Sequence, residues 1–217
     1  MTTKAMLPAH QERSRESLRK LLDAAREVMG KYGMEGATVP RIARCAGLTP
    51  GSVYRRFHDK DALLETAILE VLERQEETMK TRLAPLVAQQ IPLPEFAAKI
   101  IEGMVDAYRA NAGFLRGMRQ FVQRRVNTPF WRKASALEAA HFQRTVNLFL
   151  SYQQEIRHPE PRMAVSLALR MIAGTLSHVV VSPVPQKEIR DMLPKDDRSL
   201  ARELTRAFLS YLGVVQT

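Results

Sequence analysis

Cysteine is nearly absent from this 217-residue chain, where Cys45 stands alone. One thiol closes no internal disulfide, so packing must hold the fold, and a reducing compartment is expected. No apolar run approaches the ~20 residues that a membrane-crossing helix needs. The opening stretch MTTKAMLPAHQERSRESLRK has no apolar signal segment. A cytoplasmic protein without a membrane partner is the expectation. Nothing alternates convincingly as a strand would, and there is neither a repeat nor a long low-complexity tract. His10, His141, His158 and His178 lack metal-ligand spacing. Glu73, Glu76 and Glu77 are the densest later acids, and their helical spacing reads as a solvated face rather than a catalytic cluster. No catalytic residue, metal site or cofactor is therefore expected.

What the chain does have is apolar content and positive charge. A hydrophobic share of 45% supports a substantial core, in one large domain or in a small one joined to a bigger one. The formal charge is +10. Residues 1–60 hold 12 Lys and Arg against 6 Asp and Glu, which is over half of that excess. A basic N-terminal module suggests a polyanionic partner, nucleic acid before anionic membrane. A merely well-solvated surface is the plainer reading.

Helical periodicity dominates. Leu18, Leu21, Leu22, Ala25, Val28, Met29 and Tyr32 form one apolar stripe, with Gly33 as its stop. Thr38 is placed to cap a second helix that tolerates Pro40 in its first turn and runs through Ile42 and Ala43 to Gly47. Thr49-Pro50 starts a third helix, to about Phe57. Asp59 caps a fourth, from Lys60 to about Leu83, and Pro85, Pro92 and Pro94 punctuate the stretch after it. Further helices are expected near 95–110, 113–125, 130–156, 161–181 and 198–213. The run SPVPQKEIRDMLPKDD is a break. The fold class is all-α, a three-helix N-terminal unit and a larger helical domain sharing a long connecting helix.

The second and third helices meet at Gly47-Leu48-Thr49. That is the grammar of a helix-turn-helix: glycine for a left-handed turn, small residues at the close approach, and apolar residues as the seam. The segment EGATVPRIARCAGLTPGSVYRRFHDKDALLETAI resembles the N-terminal signature of the TetR family of transcriptional regulators. The matching residues are Thr38, Ile42-Ala43, Ala46-Gly47, Thr49, Gly51-Ser52, Tyr54, Phe57, Lys60 and Leu63. The resemblance covers about residues 14–72; beyond it, only length and helical character agree. It implies an arm at 1–13, a DNA-binding domain at 14–72 and an effector-binding and dimerisation domain at 73–217. It also implies roles. Thr38 touches a phosphate. Thr49, Pro50, Gly51 and Ser52 face bases and backbone at the start of the recognition helix. Tyr54 and Lys60 hold phosphates. Arg55 or Arg56 reads guanine, at two places where similar proteins often carry an aromatic or a histidine. Pro40 stands where they often carry a polar side chain. Phe57 plugs the small core, Cys45 is a small helix residue or a redox sensor, and His58 contacts phosphate or is plain surface. Arg13, Arg15 and Arg19 are a basic arm or a solvated tail.

In the larger domain, two stripes look like an interface: Val165, Ala168, Leu169, Ile172, Leu176, Val179 and Val180, then Leu200, Leu204, Ala207, Phe208, Tyr211 and Leu212. Intramolecular core is their plainer reading. The resemblance implies a homodimer through the last two helices, because a two-fold pair reads a palindrome. It also implies an effector cavity, unknown in ligand, for which Met104, Tyr108, Met118, Phe121, Trp131 and Phe142 are the nominees. Between Arg116 and Lys133 lie six cations and no acid. They suit a solvated face, an anionic effector or nearby DNA. The implied function is a ligand-responsive repressor on a double-stranded DNA operator. The alternative is a basic helical scaffold, or a DNA-processing accessory protein with nonspecific binding.

Overall fold

The stripe beginning at Leu18 forms the inner side of the first helix in a computed structural model, which describes residues 6–88, 91–182 and 187–214. This helix, α1, spans Met6–Gly36. Leu21, Leu22, Ala25, Val28 and Met29 are buried along it. Its regular course breaks at Gly33, where φ is 68°, a left-handed value natural to glycine. Tyr32 departs from the expected stripe and is 47% exposed. Its ring serves another purpose, since the Arg41 guanidinium lies 4.3 Å from the ring centroid.

Eight more helices lie among the described residues: α2 Val39–Cys45, α3 Pro50–Tyr54, α4 Lys60–Ala88, α5 Leu93–Gln123, α6 Pro129–Leu150, α7 Pro161–Leu176, α8 Lys187–Asp191 and α9 Asp197–Tyr211. A 3-10 turn at Gln153–Glu155 precedes α7, and a π-helical turn at Ser177–Val181 prolongs it. No strand occurs among the described residues. Residues 1–5 of the expected arm and 183–186 of the proline-rich run lie outside them. Several expectations change. The arm expected at 1–13 is already helical from Met6, and α8 lies inside the run 182–197 that was expected as a break. Pro85 does not stop α4, which continues to Ala88. The two helices expected over 95–125 are one, because Gly113 is a packing residue rather than a break. The helix from Pro129 ends at Leu150, six residues early.

The chain forms two units: residues up to Arg74 with Gly113–Ala134, and Gln75–Ala112 with residues from Ser135 on. Three helices, α4, α5 and α6, contribute to both, where the sequence suggested one. The first unit buries Val39, Ile42, Ala43, Val53, Leu63, Leu64 and Ile68, with Phe114, Phe121 and Phe130 from the returning segment. Phe121 and Phe130 meet edge to face at 5.6 Å. Gly113 lies against α1 so closely that a Cβ there would strike the Gly30 carbonyl oxygen.

The second unit has an aromatic centre. Phe149 packs on Phe96 at 5.2 Å and on Phe208 at 4.9 Å between centroids. Around them lie Val165, Ala168, Leu169, Ile172, Leu176, Leu200 and Leu212. The two stripes nominated as an interface are thus largely this core; Val179, Leu204 and Tyr211 are partly buried against it, and only Ala207 is exposed. By length and composition 161–181 would suit a membrane span, yet its stripe from Val165 to Leu176 lies in this core. Asp196 caps α9 by accepting from the Ser199 amide at 2.8 Å. Gly213, at φ 69°, ends it.

Candidate nucleic-acid interface

The turn between α2 and α3 is built by hydrogen bonds that the sequence makes available. Gly47 takes φ 67°. Its amide donates to the Arg44 carbonyl at 3.1 Å, and the Leu48 amide to the Ala43 carbonyl at 2.8 Å. This crossed pair satisfies the last carbonyls of α2 and turns the chain sharply. Thr49 then opens α3, its hydroxyl accepting from the Ser52 amide at 3.3 Å. Ser52 returns its own hydroxyl to the Thr49 carbonyl at 2.7 Å. Val53 is fully buried and anchors the short helix on α2. Beyond Tyr54 the helical course continues as turns, with the Arg56 and Phe57 amides both on the Val53 carbonyl. Phe57 is half-buried.

The nominated DNA contacts differ in their freedom. Thr38, Thr49, Pro50, Gly51, Tyr54, Arg55 and Arg56 are exposed, and Ser52 and Lys60 are half-buried. Tyr54, at 55% exposure, is a large aromatic ring in solvent. Thr38 stands at the start of α2 without a side-chain cap bond, so its hydroxyl is not used there. Lys60 is less free, because its ammonium lies 3.4 Å from the Met34 carbonyl oxygen. Arg56 is also engaged, donating to the Ser14 hydroxyl at 3.2 Å. The Arg55 guanidinium has no hydrogen-bond or ion-pair partner among the described residues, while its backbone amide donates to the Gly51 carbonyl at 3.2 Å. Asp59 caps α4 through the Ala62 amide at 2.8 Å and pairs with His58 at 3.0 Å. Ser14 was not legible as a partner, since 42 residues separate it from Arg56.

Cys45 is exposed, with its sulfur 3.6 Å from Glu27. Partial desolvation of the sulfur pushes the thiol up from its ordinary pKa, and the Glu27 carboxylate adds to this. A redox sensor needs the opposite shift, so the small-helix-residue reading is favoured.

The basic segment 116–133 has its acids elsewhere in the first unit. Arg124 pairs with Glu35 at 2.9 Å and Lys133 with Glu73 at 2.9 Å. Arg125 binds Asp61 directly, lies 3.5 Å from Glu65, and stacks on the Phe121 ring at 3.5 Å from its centroid. Burial raises the Glu65 carboxyl pKa against the pull of Arg125. Arg132 donates to the Asn127 carbonyl at 2.8 Å. At least four of the six cations are therefore structural ties. Glu76 and Glu77 have side chains outside the described residues.

The nominated effector residues divide. Met118, Phe121 and Trp131 belong to the first unit, where Phe121 is fully buried on Phe130. Met104, Tyr108 and Phe142 pack on the core of the second. Arg170 lies 5.0 Å over the Phe142 ring.

These features have counterparts in known proteins. Residues 21–67 match the family model described as "Bacterial regulatory proteins, tetR family". Residues 92–212 match "Tetracyclin repressor-like, C-terminal domain". The HTH-type transcriptional regulator BetI of Escherichia coli O157:H7 is 25% identical over 193 residues, covering 88% of this chain and 91% of that protein. BetI of Cronobacter sakazakii is 27% identical over 158 residues, 73% of this chain and 74% of that one. Among solved structures, a putative TetR-family regulator from Mesorhizobium loti superposes with a TM-score of 0.70 at 17% identity, covering 91% and 97% of the two chains. FadR of Bacillus subtilis, solved with stearoyl-CoA, gives 0.64 at 20% identity, covering 89% and 98%.

Proposed function

Because this chain belongs to the TetR family and is a helix-turn-helix transcriptional regulator that binds DNA, we propose how it does so: as a homodimer on a palindromic operator, released by a small-molecule effector. The recognition helix is α3. Thr49, Pro50, Gly51 and Ser52 at its start face base edges and backbone, Thr38 and Tyr54 hold phosphates, and Lys60 holds another by leaving the Met34 carbonyl. The observation that carries this reading is that Thr38, Thr49, Tyr54 and Arg55 of the helix-turn-helix are all exposed, with only the Thr49 hydroxyl engaged, as the cap of α3.

The dimer surface is the outer side of α7, together with α9. Met163, Leu167 and Met171, at 43%, 44% and 51% exposure, recur every fourth residue opposite the buried stripe. A large exposed apolar row of this kind marks a contact surface. The effector site is in the second unit, around Met104, Tyr108 and Phe142. Its ligand shifts the population toward a state whose two recognition helices are mis-spaced for successive major grooves. The coupling is of order 1–3 kcal/mol. The protein works in the cytoplasm, and this mechanism calls for no catalytic group.

Retardation of duplex DNA from the chain's own upstream region tests the reading. Specific retardation should survive excess competitor DNA and disappear in Tyr54→Ala. Equal binding to every sequence would sink it, whereas steep salt dependence alone would not decide, since nonspecific binding shares it.

A further inference from the structure

We propose that Gly51 and Arg55 form the base-reading edge of α3, and that Arg56 is a positioning residue acting through Ser14. The inference rests on the operator-binding reading above and assigns the two adjacent arginines different work.

At ~100° per residue, Arg55 falls on the side of the helix opposite Val53 and Phe57, the two residues that anchor it. Gly51 is one turn earlier on that same outer side. A helical side chain leans toward the preceding turn, so Arg55 and Gly51 share one outward edge of the helix, with the space above Gly51 left open. Nothing within the protein explains a glycine at 51. A Cβ there would meet nothing within 4 Å, and its φ is not left-handed. Glycine in a helix without such a need is unfavourable relative to alanine. An outside surface that approaches closely supplies the missing reason. The outer face of α3, brought against a groove floor, gains room at Gly51 and places the fork of Arg55 on guanine O6 and N7. Arg56 falls on a different side, beside Ser52, and its guanidinium is committed to Ser14 on α1. It fixes the angle of α3 against the first helix.

The test begins by selecting duplexes from a random pool with the full-length protein. Binding is then measured on the selected duplex and on its single-base-pair variants. Arg55→Ala should lose preference for one G·C pair in each half-site, a preference of roughly 5- to 150-fold in the parent. Gly51→Ala should keep or raise the thermal midpoint yet bind the selected duplex at least about tenfold more weakly. Arg56→Ala and Ser14→Ala should each weaken every duplex by the same factor with the salt slope unchanged, and the double variant should lose no more than either single one. The inference is overturned if Arg56→Ala erases the base preference, if Gly51→Ala binds as the parent does, or if Arg56→Ala lowers the salt slope by about one, the mark of a phosphate contact. A parent that selects no sequence at all overturns the operator reading itself, a result distinct from these.

Discussion

A single hydrogen atom at residue 113 decides how closely two helices of the first unit can approach. The Cβ of an alanine at 113 would collide with backbone, the Gly30 carbonyl, which cannot rotate away. Gly113→Ala should therefore destabilise the protein by about 1–3 kcal/mol or more, as overpacked sites do. Gly30→Ala should be near neutral, because its Cβ would sit at an ordinary 3.4 Å from its nearest neighbour. Chemical denaturation of the two variants checks the asymmetry. Asp196 offers a test by pH. The Ser199 amide and hydroxyl hold its carboxyl below the usual carboxylate pKa. A depressed pKa means the cap's contribution is complete above the unfolded value, about 4, and is lost as pH falls through the folded one. Asn keeps the cap without titrating. The difference in thermal midpoint between the parent and Asp196→Asn should then change in the parent's disfavour as pH falls below about 4. A pH-independent difference would show that the cap's charge is not involved. At this scale the sequence was most legible where one residue imposes backbone geometry: Gly47, Thr49-Pro50 and Asp59 each do what local chemistry requires. Tyr32 and the interruption expected between 110 and 113 were misjudged because they depend on Arg41 and Gly30, one on another helix and the other 83 positions from Gly113.

Between elements, charge is the information that sequence order hides. The acid-free run 116–133 looks like a patch awaiting an anion, yet Glu35, Asp61, Glu65 and Glu73 on α1 and α4 pair with three of its cations. The ties differ in worth. Arg124 and Glu35 are well exposed, so Arg124→Ala should cost about 0–1 kcal/mol. Arg125 is only 18% exposed and serves two acids and an aromatic ring. Arg125→Ala leaves half-screened Asp61 and Glu65 facing each other, and should cost about 2–3 kcal/mol, below the full penalty of breaking a buried pair. Urea unfolding of both variants ranks them, and equal losses would refute the distinction. The helices themselves were read well from periodicity, since stripes such as Leu63, Leu64, Ala67 and Ile68 are buried as their spacing demands. Periodicity did not separate the two sides of α7, because both are apolar and only the neighbouring helices say which is covered.

For the whole molecule, the division into two units and the proposed dimer bear on the function. The segment 113–134 joins the DNA-binding side of the chain, a placement that no local pattern announces because it depends on contacts with residues far earlier in the sequence. The aromatic nominees for an effector cavity were drawn from one stretch of sequence and are accordingly split between units. Assembly is open to a direct test. Leu167→Glu or Met171→Glu introduces a charge into the exposed row of α7 without touching its buried stripe. Either variant should sediment as a monomer at concentrations where the parent is a dimer, with helical content unchanged. Affinity for a palindromic duplex should fall at least tenfold, toward that for a half-site. Dimers that persist in both variants would move the interface elsewhere.

The unbroken course of α5 has an evolutionary consequence. Residues 93–112 and 113–123 are built into different units but share one helical phase. An inserted residue near Gly113 would rotate every later residue of the helix by roughly 100° and advance it by about 1.5 Å. Phe114 and Phe121 would leave the positions they fill, or Phe96 and Ile101 would leave theirs. An insertion or deletion within α5 should thus cost more stability than one in the connections that flank it.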